Sequence, residues 1–173
     1  MRSTKLIALV LTAGFIAFWL FPASVMGESP IVLWEDIIGI MQAGNVVGLG
    51  TGHVTGGGQP WSTKQGSARV NLRTGMVEFL VQGLVLAGGN SIGTPDAVTQ
   101  VKGTLVCDTN GSAGGGNSVL VDTDLVPLSD QGDAHFVGDA GDLPLVCLTE
   151  PDIAFLIRTS GGAWIANGSV RKP

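Results

Sequence analysis

Few side chains in this sequence carry the chemistry of a reaction, and their spacing is what can be tested first. Gly89-Asn-Ser-Ile-Gly93 fits the G-x-S-x-G elbow, which would make Ser91 a nucleophile. That elbow needs a strand before it and a helix after it, so that the serine is thrust up beside a histidine. Here Thr94-Pro95 follows at once, and proline disfavours helix at the residue before it. A turn is the expected state, and a small hydrolase is the third reading of function. His53 and His135 are the two histidines, too few for a catalytic zinc or copper site. Gly48-Leu-Gly-Thr-Gly-His-Val-Thr-Gly-Gly-Gly58 has the glycine density of a phosphate loop but lacks the Gly-Lys-Ser/Thr ending. It runs instead into Gln59-Pro60-Trp61, so its glycines are expected to allow a bulge or tight bend near a sheet edge.

Asp122, Asp124, Asp130, Asp133, Asp139 and Asp142 crowd one stretch. Calcium takes six to eight oxygens from such carboxylates and from loop carbonyls. The spacing is not that of an EF-hand, and turn-forming aspartates account for most of the group. Asp122, Asp124, Asp130 and Asp133 stand as the calcium alternative. Trp61, in a polar loop after Pro60, is the candidate for stacking on a sugar ring, whereas Trp164 reads as core. Asn110-Gly-Ser112 and Asn167-Gly-Ser169 fit the N-glycosylation pattern. No cofactor-binding fingerprint is present.

The start of the chain decides the compartment. Arg2 and Lys5 precede the uncharged run Leu6 to Phe21; Pro22 ends it, and the small residues Ala23, Ser24 and Gly27 follow. A basic head, an apolar middle and a small-residue tail make a secretory signal. Val25 and Gly27 suit the pockets of a signal peptidase, which places cleavage after Gly27 and the mature terminus near Glu28. The alternative is an uncleaved membrane anchor, although the run falls short of the roughly 20 residues that span a bilayer comfortably. The expected location is secreted, extracellular or periplasmic, with no stable membrane insertion after cleavage. Removing Arg2 and Lys5 leaves seven basic residues against 14 acidic ones, a net charge of −7. A chain this acidic has no basic stripe for phosphates, so nucleic acid is not an expected partner.

Cys107 and Cys147 are the only cysteines. In an oxidising compartment they are expected to form a disulfide. Closing a loop of that length is worth roughly 4 kcal/mol by chain entropy.

What must position these residues is a set of short strands. There are 27 glycines and no tyrosine, and the glycines punctuate Val-, Leu-, Ile- and Phe-rich runs without a fixed period. Frequent strands and turn signals point to an all-β, antiparallel β-sandwich of about eight strands. The clearest unit runs from Ser67 to Gln82 around Thr74-Gly75. A two-residue loop there would pair Leu72 with Val77, Val70 with Phe79 and Ala68 with Val81, all on one face. Arg69, Asn71, Arg73 and Glu78 would take the other. A second hairpin closes the chain, Ile153 to Arg158 against Ala163 to Val170. A loop at Ser160-Gly161 would set Ile157 opposite Trp164 and Phe155 opposite Ala166. Val46 to Val54, Val98 to Cys107, Ser118 to Thr123 and Asp133 to Gly138 are further strands, and Asp108 to Asn117 is a glycine-rich loop. Trp34, Ile37, Ile38 and Met41 recur at helical spacing within Ile31 to Ala43, which predicts a short helix leading into the domain. The resulting division is signal 1–27, lead-in 28–45 and β-sandwich 46–173.

The segment Gly66-Ser-Ala-Arg-Val-Asn-Leu-Arg-Thr-Gly-Met-Val-Glu-Phe-Leu-Val-Gln-Gly-Leu84, followed by Val98 to Cys107 and a terminal strand near Gly161 to Gly168, resembles the chordin-type (CHRD) domain. The resemblance implies an extracellular, β-rich interaction module. The His-x-His that usually follows the first hairpin of that family is missing, so no functional residue carries over. The leading expectation is a secreted, non-catalytic domain with a binding or structural role toward a protein or a glycan. A carbohydrate- or calcium-binding module is the alternative.

Overall fold

A computed structural model describes residues 31–113, 115–149 and 152–172. The expected signal segment 1–27 and its expected cleavage point lie outside the described residues. Thirteen strands are present among the described residues: β1 (Ile31–Gly39), β2 (Val46–Val47), β3 (Val54–Thr55), β4 (Trp61–Ser62), β5 (Gln65–Asn71), β6 (Met76–Gln82), β7 (Val85–Leu86), β8 (Gln100–Cys107), β9 (Val119–Asp122), β10 (Val126–Pro127), β11 (Ala134–Asp139), β12 (Ile153–Thr159) and β13 (Trp164–Lys172). One short helix, α1 (Leu145–Thr149), interrupts them. Nine strands join one antiparallel sheet in the order β10-β8-β12-β13-β1-β5-β6-β11, with β9 also paired to β8; β2-β3 and β4-β7 are small separate ladders. The all-β, antiparallel expectation holds.

The two layers of the sandwich are two halves of this one sheet, which curls until they face each other. Phe79 on β6 meets Phe155 on β12 at 6.0 Å between ring centroids, and Phe136 and Trp34 extend the same cluster. Strand twist makes such curling natural, and it hides the inner face from water. Val70, Phe79, Val81, Leu105, Phe155 and Ile157 are buried there. At the start of β13 the glycine-rich run 44–57 joins the strand through a parallel bridge: Gly57 N–H donates to Trp164 O (2.8 Å), and Trp164 Nε1 donates to Asn45 O (3.0 Å).

Four local expectations need correction. The segment from Ile31 forms no helix: β1 lies at the middle of the sheet between β13 and β5. Its register with β13 skips Glu35 and Val170, where Val170 has a φ of 48°. That paired irregularity turns the strand, so Trp34 and Ile37 are both buried three residues apart and imitate a helical period. The β5–β6 hairpin has Val70 opposite Val77 and Ala68 opposite Phe79. Asn71 Oδ1 accepts from Arg73 and Thr74 N–H, and Gly75 N–H donates to Asn71 O, so a longer turn replaces the two-residue loop. The shift is two residues, which leaves every side chain on its expected face. In the β12–β13 hairpin Ile157 faces Ala166, and Arg158 faces Trp164 across a bulge. Thr159 N–H bonds to Ala163 O and Gly162 has a φ of 94°, a three-residue loop rather than two. The expected strand from Val46 to Val54 is likewise broken, because Gly48 and Gly50 take positive φ and a 3-10 turn fills Gly50–Gly52.

Candidate functional site

A groove able to receive a ligand lies beside Trp61. Strand β4 is too short to stand alone; it pairs with β7 and is tied to the residue just after β1 by Trp61 N–H to Ile40 O (2.8 Å). Behind it, Gly39 has no side chain where the Trp61 carbonyl approaches. The indole is therefore pressed into the fold, and only 4% of the residue is exposed. No face of the ring is open for stacking on a sugar, which corrects the platform expected from sequence. What Trp61 offers instead is an edge. Together with Leu86, Val98 and Ile165 it lines a groove of about 210 Å³ whose rim carries Gln59, Asp96 and Thr159. A Cβ built on Gly57 would stand 3.7 Å from the indole nitrogen and 3.4 Å from Ile165 Cγ2, so the bare glycine keeps this side open.

The loop Ala87–Thr99 shapes the far wall of that groove, and Ser91 lies in it. Ser91 Oγ donates to Asp96 Oδ1 at 3.2 Å, and Asp96 N–H bonds to Thr94 Oγ1 at 3.2 Å. Asp96 is held at a φ of 53°. The segment Gly89–Gly93 is a turn, as expected, closed by Thr94 N–H to Ser91 O. His53 lies elsewhere, with Nδ1 2.6 Å from Gly50 O, and His135 is exposed on β11 opposite Leu80. Neither imidazole is brought to Ser91.

The remaining candidates are scattered. Asp122, expected as a calcium ligand, is engaged by Lys102, by Arg158 Nη1 (3.0 Å) and by Thr104 Oγ1 (2.6 Å) on the surface of β8, β9 and β12. Partial burial is the largest single influence and pushes its carboxyl up. The bonds from Lys102 and Thr104, with the charges of Arg158 and Lys102, outweigh it and hold the group below the usual carboxylate range. Asp133 Oδ1 accepts from Gly83 N–H at 2.9 Å and so ties a turn, as aspartates do. Asp124 and Asp130 are exposed. Among the described residues no three His, Cys, Asp or Glu side chains come close enough to hold a metal ion, so the four do not form the calcium site considered above.

Several amides of the glycine-rich run are also occupied within the protein. Leu49 N–H donates to Ser118 Oγ (2.8 Å) and Thr51 N–H to Asn117 Oδ1 (2.8 Å), which docks this loop on the β8–β9 connection. Cys107 and Cys147 form the expected disulfide, which fastens α1 to the end of β8. Asn110 is exposed but bonded to Asp152 (2.6 Å), whereas Asn167 lies half-buried in β13. Asp96 and Gln59 escaped the sequence reading; an isolated Asp after Thr-Pro and a Gln before Pro carry no pattern that marks a groove. No helix among the described residues is long and apolar enough to cross a membrane.

No family model matches this chain, and no match was found among curated proteins or solved structures.

Proposed function

We propose that the chain is an exported, non-catalytic β-sandwich domain that binds a partner or ligand outside the cytoplasm. The observation that carries this reading is the open groove at Trp61, where apolar walls meet a few polar groups on a rigid sheet, the usual make-up of a binding site. Export is supported by the basic-apolar-small pattern of residues 1–27 and by the Cys107–Cys147 bond, which suits an oxidising compartment. The resemblance to the chordin-type domain supports an extracellular interaction role in the same sense. The acidic surface argues against nucleic acid as the partner.

The hydrolase reading, third in order from the sequence, draws on the Ser91–Asp96 contact. A carboxylate hydrogen-bonded directly to a serine is a poorer activator than an oriented imidazole, because its ordinary pKa is far below the working pH of a base. A fluorophosphonate probe separates the two. Non-catalytic binding predicts no labelling of Ser91; labelling that disappears in Ser91→Ala would overturn it. Terminal sequencing of exported protein should begin near Glu28. A membrane-bound product that retains Leu6 to Phe21 would instead establish the anchored form.

A further inference from the structure

We propose that the Trp61 groove holds a single neutral sugar ring by its edge. The Trp61 indole N–H would donate to a ring or hydroxyl oxygen, and Asp96 would accept from a hydroxyl. This rests on the reading of the domain as a binding module and names the ligand class of its site.

Four observations converge on it. Trp61 is buried, with 4% of the residue exposed, yet its N–H meets no acceptor among the described residues. Among the described residues only Ser169 Oγ is a fully occluded side-chain polar atom without a partner, so the Trp61 N–H keeps some contact with solvent. Gly57 lines this groove, and a Cβ built on it would stand 3.7 Å from the indole nitrogen, which puts the N–H on the groove's side. A donor in such a place is satisfied by water until a ligand covers it, and then needs an acceptor from the ligand. By contrast, Trp164 donates to Asn45 O; Trp34, whose indole also lacks an acceptor, lines no groove described above.

The lining is amphiphilic in the way a pyranose is. Leu86, Val98 and Ile165 suit C–H faces, while Gln59, Asp96 and Thr159 at the rim suit hydroxyls. Its size of about 210 Å³ is below the roughly 300–1,000 Å³ of drug-sized sites, which fits one ring rather than a buried chain. No Lys, Arg or His lines it, so a carboxylate or phosphate would find no counter-charge.

The test uses the mature chain and methyl pyranosides of glucose, galactose, mannose and N-acetylglucosamine, followed by amide and indole proton–nitrogen correlation spectra. The expected result is a saturable shift of the Trp61 indole and of the Gly57, Ala97 and Ala163 amides, with a dissociation constant in the millimolar range, and no change at the Trp34 and Trp164 indoles. Asp96→Asn should weaken binding about tenfold, the loss of one charge-assisted hydrogen bond. Trp61→Phe should abolish the amide shifts. Ala97→Trp, at an exposed position on the rim, should block the groove and keeps the inference testable if Trp61→Phe does not fold. Absence of any groove shift with all four sugars overturns the sugar assignment, as does undiminished binding by Ala97→Trp. If butylammonium or an N-acetyl dipeptide amide saturates the same residues while sugars do not, the sugar assignment falls and the binding reading stands. Labelling of Ser91 by the serine probe would remove the binding reading itself.

Discussion

Gly103 on β8 lies directly against Phe155 on β12: a Cβ at Gly103 would stand 2.7 Å from Phe155 Cζ and 3.0 Å from Phe79 Cδ1. The absence of one side chain thus lets the two halves of the curled sheet close on their aromatic cluster. Gly103→Ala should destabilise the domain by about 1–3 kcal/mol through overpacking, although alanine suits a strand better than glycine. Chemical denaturation would measure it, and a neutral or stabilising result would show that the rings have room to move.

The same cluster separates the two faces of β6. Phe79 is fully buried, whereas Glu78 is exposed and faces Arg69 across the ladder. Phe79→Ala should cost about 3–5 kcal/mol, the range for deleting a buried aromatic. Glu78→Ala should cost no more than about 1 kcal/mol. The opposite order in denaturation midpoints would mean that the faces are exchanged.

Gly75 ends the β5–β6 turn with a φ of 74°, and a Cβ there would collide with the Gly141 carbonyl. Gly75→Val should destabilise by more than the about 1 kcal/mol of a simple glycine replacement, since strain and collision add. Thermal melts that place Gly75→Val level with wild type would refute the turn geometry.

The Cys107–Cys147 bond spans a sequence separation of 40 and pins α1, whose Leu145 and Leu148 are exposed. Thiol labelling under denaturing, non-reducing conditions should detect no free sulfhydryl. The double Cys→Ser variant should lose about 2–5 kcal/mol, the usual cost of removing a native disulfide from a small domain. Two labelled thiols per chain would contradict the bond.

Asp122 makes stability depend on pH in a defined direction. Its folded pKa lies below the unfolded one, so its contribution is complete above the ordinary aspartate range and is lost as pH falls through the depressed folded pKa. Asp122→Asn should therefore be less stable than wild type at neutral pH, and the gap should narrow in strong acid. Urea melts across that range would show it; a gap that widens in acid would mean that burial dominates over Lys102, Thr104 and Arg158.

What was legible in the sequence was local in origin. Alternation along Ala68, Val70, Phe79 and Val81 determined which face is buried, because successive strand residues point to opposite sides whatever the register. The disulfide followed from two cysteines and the expectation of export, and turns followed from glycine and aspartate chemistry. Register was less legible, since the Asn71 side-chain bonds and the Gly162 bulge each changed a loop length without altering the hydrophobic pattern. Only the tertiary structure decided that Ile31–Gly39 is a strand: its neighbours, β5 and the distant β13, supply hydrogen bonds that no helical period can anticipate. It also decided the fate of Trp61. The same tryptophan reads as an exposed ring after Pro60, but backbone approach at Gly39 and the opening at Gly57 bury its faces and leave its N–H at a groove. Long-range packing chooses which edge of a residue meets water, and that choice is not written in the residue's own neighbourhood.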